Sequence, residues 1–327
     1  MYSLPKISKI SIEANANEAV FKRATHIFNA GGLVAFPTET VYGLGADATN
    51  DQAVARIFQV KKRPHFNPLI VHIADIETAR GLAYFDDRAE RIAGIFWPGP
   101  LSIVLPRREN CDLSPLVSAG LDTVALRIPG NAHAQTLLKT TACPIAAPSA
   151  NRSGEISPTL AIHVANSLPG PDEGGPELIL DGGRCHVGLE SSVVDLSGPT
   201  ATLLRPGGIS RNSLSHHLGS LVLAGNNNVS PRSPGMLERH YAPQTPLKMN
   251  VTSALSNEAI LGFGKIVSNP TLNLSPNADL TEAAANLFSM LHQLDKGQFA
   301  AINVAPIPNK GLGQAINDRL RRAAFNG

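Results

Sequence analysis

The amino-acid sequence predicts an α/β protein with a large first domain, built on a mixed, twisted sheet, and a second, smaller α/β domain. Strand-like apolar runs and amphipathic helical patterns alternate irregularly up to residue 218, which favours a mixed sheet over a regular doubly wound one. Between 219 and 246 the composition shifts to Asn, Pro, Ser and Gly, as in a linker. We therefore predict a first domain over 1–218, a linker over 219–246 and a second domain over 247–327.

The helices of the first domain are predicted from their caps and apolar faces. Asn17 is placed to cap a helix that ends at Gly31, and Asn50 to cap a second helix. The second helix must end near Arg63, because Pro64 disfavours helical geometry in the residue before it. Further helices are predicted over 87–96 and 132–138 and from the N-cap Ser157, and strands over 33–36, 69–74, 101–105, 124–128, 177–181, 192–196 and 202–204.

The residues after the linker repeat the α/β pattern on a smaller scale. They predict a strand at 247–251, a capped helix from Thr281, a strand at 300–304 and a final helix with the sequence RLRRAA. This order is typical of a small Rossmann-like α/β domain.

Composition and charge exclude several classes of protein. At 327 residues, with 43% hydrophobic and 17% charged residues, the chain has the composition of a globular protein with a large core. A net charge of +2 does not indicate a polyanionic partner over the whole surface. The three cysteines form no CxxC pair, so neither a disulfide framework nor a zinc site is indicated. We find no signal-peptide pattern and no run long enough for a membrane span, and expect a soluble, cytoplasmic protein.

Residues 31–48, GGLVAFPTETVYGLGADA, form the stretch around which we expect the chain to be organised. Its apolar run predicts a strand buried on both faces, which Pro37 ends. Thr38, Glu39 and Thr40 then place hydroxyls and a carboxylate in a turn, and the glycines after it let the backbone approach a ligand. The sequence contains none of the usual motifs of phosphate loops, dinucleotide folds, zinc proteases or nucleophile elbows.

Arginine ends an apolar segment at Arg63, Arg127 and Arg205, and a proline follows each of them. We expect each guanidinium to emerge at a sheet edge, and three that converge on one crevice would bind phosphate or carboxylate groups bidentately. Short polar side chains on neighbouring turns would orient small ligands without a covalent nucleophile, which suits phosphoryl or nucleotidyl transfer. These side chains are Thr38, Thr40, Thr123, Ser149, Asn151, Ser157 and Ser191. Taken alone, His72 would be interpreted as a core histidine.

The motifs of the chain, in their order, resemble those of the threonylcarbamoyl-AMP synthase family. They are PTETVYGLGADA, the K-x-R of Lys61 to Arg63 leading into RPHFNPLIVHI, FWPGPLSIVL, APSAN, SGEISPT, GLESSVVD, LLRPGGI and SPGMLERHYAP. The chain is similar in particular to the long form of the family, in which a YrdC-type catalytic domain is joined by a linker to a smaller C-terminal domain. The resemblance implies synthesis of L-threonylcarbamoyladenylate and pyrophosphate from L-threonine, bicarbonate and ATP, for threonylcarbamoyladenosine modification of tRNA.

The resemblance also implies roles for individual residues. L-threonine would be held by Thr40, His72, Arg127, Ala147 and Ser191; ATP by Arg63, Asn67, Thr123, Ser149, Asn151, Ser157, Arg205 and Tyr241; and the catalytic cations would be Lys61, Arg63 and Arg205. Mg²⁺ is expected with ATP, and no tightly bound metal with protein ligands. The expected partners are the three substrates and a downstream tRNA-modifying threonylcarbamoyl transferase complex, with weak RNA binding left open and no membrane.

Two alternatives remain open at this point. One is an RNA-binding translation or ribosome-maturation factor, and the other is a carbamoyl-handling enzyme that acts on another acceptor. An RNA-binding protein would be expected to show stacking aromatic residues, whereas aromatic residues make up 5% of this sequence and do not alternate with basic ones. The sequence therefore favours the synthase.

The end of the linker, SPGMLERHYAP at 233–243, is rich in side chains that a spacer does not need. Its prolines reduce the entropy that the segment would lose on docking. We predict that it is a lid over the active site and that Tyr241 reaches the nucleotide. In the alternative, Tyr241 packs only on its own domain.

Overall fold

In the computed structural model, residues 11–13, 17–224 and 239–325 are described. They contain an eleven-stranded sheet and a four-stranded sheet. The strands of the large sheet are β1 (Ser11–Glu13), β2 (Val34–Phe36), β3 (Gly43–Asp47), β4 (Ile70–His72), β5 (Leu101–Pro106), β6 (Thr123–Arg127), β7 (Ile145–Ala146), β8 (Leu178–Leu180), β9 (Ser192–Asp195), β10 (Thr202–Arg205) and β11 (Val222–Leu223). The helices among them are α1 (Glu18–Asn29), α2 (Asp51–Lys61), α3 (Ile76–Leu82), α4 (Asp87–Phe96), α5 (Ala132–Thr141), α6 (Ala161–Ser167) and α7 (Arg211–Leu218).

The large sheet is mixed, which confirms the predicted fold class. Its strand order is β1-β8-β2-β3-β7-β4-β6-β5-β9-β10-β11. β4 and β6 pair in parallel, β5 is antiparallel to β6, and β9 is parallel to β5 but antiparallel to β10. Since two reversals separate them, β10 runs in the same direction as β4 and β6.

The smaller sheet is entirely parallel, as expected for a Rossmann-like unit. Its strands, β12 (Leu247–Met249), β13 (Ala259–Gly262), β14 (Leu272–Asn273) and β15 (Ile302–Val304), pair in the order β12-β15-β13-β14. Two helices accompany it, α8 (Leu280–Asp295) and α9 (Gly313–Ala323). Half of the predicted linker, residues 225–238, lies outside the described residues.

The caps of α1 and α2 confirm the predicted helix starts. The side chain of Asn17 accepts a hydrogen bond from the backbone of Val20, and that of Asn50 accepts two from the first turn of α2. α2 ends at Lys61, and its C-cap Lys62 adopts a left-handed conformation just before the Arg63-Pro64 pair that was expected to end the helix.

The helix start predicted at Ser157 is wrong. α6 begins at Ala161, and Leu160 precedes it without any side-chain cap. The hydroxyl of Ser157 instead donates to the carboxylate of Glu190, 2.5 Å away. A hydrogen bond from a hydroxyl to a charged carboxylate is stronger than one from a backbone amide to a hydroxyl. The distant pairing with Glu190 therefore overrides the local N-cap preference of Ser157.

Strand β3 was missed, because glycines are depleted in strands and Gly43 and Gly45 were interpreted as a turn. β3 forms a hairpin with β2. A Cβ at Gly45 would lie 2.9 Å from carbon atoms of both Ile145 and Phe36, so glycine permits the close packing of this strand. The sequence interpretation also missed α3, α7 and several short strands, including β7 and β13.

Among the described residues, no helix has both the length and the apolar character that crossing a membrane requires.

Candidate active site

A narrow cavity of about 40 Å³ lies against one face of the large sheet. Ile70 and His72 of β4 both line it, and residues two apart on a strand share a face. Arg127 pairs in register with His72, so its side chain leaves the sheet on that same face. For Arg127, the expectation that the guanidinium emerges at a sheet edge is therefore wrong. The lining residues are Thr38, Thr40, Val41, Gly43, Arg63, Ile70, His72, Arg127, Ala147, Pro148, Ser149, Glu190, Ser191, Arg205, His240 and Tyr241.

The cavity brings together the three arginines that the sequence singled out. Arg63, Arg127 and Arg205 are each 4–6% exposed, although they come from a loop and two different strands. Burial, followed by the neighbouring Arg205, lowers the pKa of Arg63 to about 9. Buried like charges raise one another's electrostatic energy, so this arrangement favours an anionic ligand.

Backbone carbonyls fix two of these guanidiniums. Arg63 donates from Nε to the carbonyl of Asn67 at 3.0 Å and from Nη2 to that of Pro68 at 2.8 Å. Arg205 donates from Nε and Nη2 to the carbonyl of Ser191, at 3.1 and 2.9 Å, and from Nη2 to its hydroxyl at 3.1 Å. These bonds hold the planar groups against the cavity wall.

The third guanidinium, of Arg127, is paired with a carboxylate that the sequence interpretation did not assign to the site. Its Nη2 lies 2.8 Å from Oε1 of Glu39, and the two side chains are 4% and 3% exposed. Its Nε donates to the carbonyl of Gly99 at 3.3 Å. The PTET motif signalled a polar turn, but it did not indicate which cation Glu39 meets.

His72 is neutral in this environment. Burial, and then the charge of Arg127, lowers the pKa of His72 to about 3. Its ring meets that of Phe36 edge to face, with centroids 5.9 Å apart. The Nδ1 atom is buried and has no hydrogen-bond partner among the described residues, so it is available to a ligand.

All five residues predicted to hold L-threonine line the cavity. The hydroxyls of Thr38 and Thr40 lie 2.7 Å apart, and that of Ser191 lies 2.8 Å from the hydroxyl of Ser102. The backbone amide of Ala147 donates to the carbonyl of Ile70, so Ala147 offers a ligand only its carbonyl and its methyl group.

The residues predicted to hold ATP are divided by the structure. Four of them, Arg63, Ser149, Arg205 and Tyr241, line the cavity, and four do not: Asn67, Thr123, Asn151 and Ser157. Thr123 begins β6 and lies four residues before Arg127, about 13 Å away along the strand. The side-chain amide of Asn67 is buried next to the Arg63 loop, and neither of its polar atoms has a partner among the described residues.

The predicted catalytic cation Lys61 is not part of the cavity wall. Its ammonium group is buried and donates to the backbone carbonyls of Ser149, at 2.6 Å, and Asn151. Burial, and then the charge of Arg63, holds the pKa of Lys61 well below its ordinary value. In this arrangement Lys61 fixes the loop that carries Ser149.

Glu190 and Arg319 are functional candidates that the sequence interpretation missed. Glu190 accepts the Ser157 hydroxyl on Oε1, while Nε of Arg319 in α9 lies 2.8 Å from its Oε2. Burial acts to raise the pKa of Glu190, but Arg319 and Arg205 overcome it and hold the pKa below its ordinary value. The GLESSVVD motif could have drawn attention to Glu190, whereas an arginine in a basic helix gives no such signal.

Tyr241 joins the cavity to the smaller unit. Its ring lines the cavity, stacks on Phe288 of α8 with centroids 5.6 Å apart, and lies under the guanidinium of Arg319. Its hydroxyl is buried without a partner among the described residues. Residues 233–238 of the predicted lid lie outside the described residues.

No cluster of three or more His, Cys, Asp or Glu side chains suited to a metal ion occurs in 11–13, 17–224 and 239–325. Glu190, which lines the cavity, and Glu39, which pairs with the lining residue Arg127, are both engaged by arginines.

Comparisons with known proteins agree over nearly the whole chain. The Sua5, YciO and YrdC family profile, described as telomere recombination, matches residues 26–207, and that of the threonylcarbamoyl-AMP synthase C-terminal domain matches 209–325. Threonylcarbamoyl-AMP synthases of Pyrococcus abyssi and Bacillus subtilis are each 38% identical; the first alignment covers 96% of this chain and 97% of the relative, and the second 96% of both. The crystal structure of P. abyssi Sua5 complexed with L-threonine has 37% identity, a TM-score of 0.86 and 97% coverage of both chains. The protein belongs to the threonylcarbamoyl-AMP synthase family, in its long form with both domains.

Proposed function

We propose that the protein synthesises L-threonylcarbamoyladenylate from L-threonine, bicarbonate and ATP. The amine nitrogen of threonine bonds to the carbon of bicarbonate, and water leaves. An oxygen of the resulting carbamate then bonds to the α-phosphorus of ATP, the bond from that phosphorus to the β-bridging oxygen breaks, and pyrophosphate leaves. The observation that carries the proposal is the cavity that joins buried arginines to the five residues expected to hold threonine.

The amino-acid half of the cavity fits threonine. Arg127 would bind the carboxylate, since a guanidinium can donate two parallel hydrogen bonds to it. Thr40 and Ser191 offer hydroxyls to the threonine side chain, and neutral His72 can exchange a hydrogen bond without adding charge. No covalent nucleophile is needed, because a bound carbamate and a bound nucleotide react through positioning and charge stabilisation.

The nucleotide half would be organised by Arg63 and Arg205, which lie on the same cavity and offset phosphate charge. We propose that Mg²⁺ arrives with ATP, held by phosphates and water, because Glu190 in the wall and Glu39 beside Arg127 already pair with arginines. The ion would neutralise charge that develops on the departing pyrophosphate.

We propose that the wall opens for nucleotide entry, since the cavity is narrow and its charged lining residues are buried. His240 and Tyr241, at the end of the predicted lid, form part of that wall. Movement of this segment would admit substrates, and its return would exclude water from a mixed anhydride that water can hydrolyse.

The product would serve a tRNA-modifying threonylcarbamoyl transferase complex in the cytoplasm. Family membership favours this function over an RNA-binding translation or ribosome-maturation factor.

The proposal is tested by incubating the purified protein with ATP, Mg²⁺, bicarbonate and L-threonine. We expect pyrophosphate and threonylcarbamoyl-AMP, identified by mass spectrometry, in equal amounts. Omitting threonine or bicarbonate, and adding EDTA, are the controls. Pyrophosphate release that is indifferent to threonine would contradict the proposed function.

A further inference from the structure

Arg319 is the largest fully buried side chain in the described residues, and it comes from the smaller unit. It is 1% exposed, although it lies on a helix whose other arginines, Arg321 and Arg322, reach solvent. An arginine is seldom buried unless its donors are paired, so its partners indicate what holds it there.

The guanidinium of Arg319 meets three segments of the active site at once. Its Nε lies 2.8 Å from Oε2 of Glu190, its Nη2 donates to the carbonyl of Pro206 at 2.9 Å, and its plane lies over the ring of Tyr241, 5.0 Å from the centroid. Its Nη1 donates to Asp318 at 2.7 Å, which fixes the guanidinium from its own helix.

Each of these contacts stands next to a residue assigned to ATP. The other oxygen of Glu190 accepts the Ser157 hydroxyl, Pro206 follows Arg205 directly, and Tyr241 is itself part of the cavity wall. The threonine half has additional supports that Arg319 does not contact, since the Ser191 hydroxyl also pairs with Ser102 and Arg127 pairs with Glu39.

We propose that Arg319 is a positioning residue through which the C-terminal domain completes the ATP-binding half of the active site. This inference rests on the proposed function. Arg319 holds the backbone after Arg205, the ring of Tyr241 and the carboxylate of Glu190. Together with Arg205 it also offsets the negative charge of Glu190, which would otherwise repel the nucleotide phosphates more strongly.

The test compares Arg319→Gln and Arg319→Lys with Arg321→Gln, a control on the same helix whose side chain is 62% exposed. Rates of adenylate formation are measured against ATP at saturating threonine and against threonine at saturating ATP, with urea unfolding of every variant. For Arg319→Gln we expect the KM for ATP to rise at least tenfold and the KM for threonine to change less than threefold. Arg319→Lys keeps the charge but loses the fork, so its KM for ATP should fall between those of wild type and Arg319→Gln. Arg321→Gln should have the same KM for ATP and the same KM for threonine as wild type.

A scaffold role would have a different signature. If Arg319→Gln lowers kcat and stability with both KM values unchanged, or raises both KM values equally, the inference is wrong. If neither Arg319 variant folds, Asp318→Asn decides: loosening Arg319 should raise the KM for ATP above the wild-type value, and an unchanged value overturns the inference.

A binding measurement separates this inference from the proposed function. ATP affinity is determined by calorimetry for wild type and Arg319→Gln, independently of turnover. A wild type that binds ATP but forms no adenylate contradicts the proposed function, while a tenfold weaker affinity in Arg319→Gln still supports the positioning role. Equal affinities in an active enzyme contradict the positioning role alone.

Discussion

The carboxylate of Glu39 lies 2.8 Å from the guanidinium of Arg127, and both side chains are buried. Arg127 is also the residue proposed to bind the carboxylate of threonine, so one guanidinium has two prospective acidic partners. The stability of the free protein and its affinity for threonine are therefore expected to be linked through this pair.

The first prediction concerns Glu39→Gln. Breaking a buried ion pair by neutralising one partner costs about 3–5 kcal/mol, because the other charge is left buried and uncompensated. Threonine supplies a new carboxylate, so the rise in melting temperature on adding threonine should be larger in Glu39→Gln than in wild type. Glu177→Gln, which breaks the half-exposed pair with Arg56, is the control and should leave the threonine-dependent shift unchanged. A shift in Glu39→Gln no larger than in wild type would show that threonine and Glu39 do not share Arg127.

The second prediction separates the arginines by substrate. Arg63→Ala and Arg205→Ala should raise the KM for ATP about tenfold to a hundredfold, the worth of a charge-assisted hydrogen bond. Arg127→Ala should raise the KM for threonine most. Arg63→Ala and Arg205→Ala should also lower stability by about 1–3 kcal/mol, because the buried carbonyls that these arginines satisfy lose their donors.

A matched control for that stability loss is Arg56→Ala. Arg56 also donates to backbone carbonyls and lies outside the cavity wall. The Arg56→Ala substitution should lower the urea midpoint of unfolding without changing the KM for ATP. If Arg56→Ala raises that KM as much as Arg63→Ala does, the ATP effect is an indirect result of lost stability.

The third prediction concerns selection among amino acids. If Thr40 and Ser191 pair with the substrate hydroxyl, valine leaves buried polar groups unpaired, whereas serine only loses contacts around a methyl group. We expect serine to be used better than valine, with kcat/KM for each compared by adenylate formation. Better use of valine would mean that these hydroxyls do not contact the substrate side chain.

The fourth prediction is a loss of stability in acid that depends on two stacked histidines. The rings of His163 in α6 and His292 in α8 lie 3.8 Å apart, and burial is the main cause that lowers the pKa of His163 to about 3 and that of His292 to about 4. In the unfolded chain these histidines take up protons near pH 6.5, whereas in the folded chain they stay neutral. The contribution of the two neutral histidines to the free energy of unfolding is therefore complete above pH 6.5 and is lost as the pH falls towards 4.

At pH 5.5 the free energy of unfolding should be lower than at pH 8 by up to about 1.4 kcal/mol per histidine, because one pKa unit corresponds to 1.36 kcal/mol. Urea unfolding at both pH values measures it. In a His163→Phe, His292→Phe double variant, which keeps two stacked rings, the difference between pH 8 and pH 5.5 should shrink by up to about 3 kcal/mol. An unchanged difference would place the acid sensitivity on other groups.

The sequence predicted the site better than it predicted the geometry of the site. Arg63, Arg127 and Arg205 could be identified because short motifs bring a cation and a proline to the end of an apolar segment. Their convergence on one cavity depends on strand direction and register over the large sheet, which no local pattern encodes. Arg319 could not be found, because it acts on a carboxylate 129 residues away and looks in sequence like any arginine of a solvated helix. The cap predicted at Ser157 failed for the same reason, since its partner Glu190 is also distant in sequence.

The last prediction tests the lid through the hydroxyl of Tyr241. This hydroxyl is buried, lacks a partner among the described residues and belongs to a ring that lines the cavity, so a nucleotide would supply the missing hydrogen bond. Cutting the chain after Gly219 is not a clean test, because it also removes Arg319 from Glu190 and exposes Val41, Ile156 and Leu189, which pack with the smaller unit.

Tyr241→Phe keeps the packing on Phe288 and removes only the hydroxyl. Since an unpaired buried hydroxyl does not stabilise the free protein, its urea midpoint should not fall, while the KM for ATP should rise about fivefold to tenfold. Tyr84→Phe, at a tyrosine that is 50% exposed, is the control and should leave the KM for ATP unchanged.

Limited proteolysis of the intact protein should also show slower cleavage between 219 and 246 when ATP and threonine are both present. If Tyr241→Phe retains the wild-type KM and cleavage does not depend on ligands, Tyr241 serves only to pack the smaller unit against the cavity, and substrates must enter by another route.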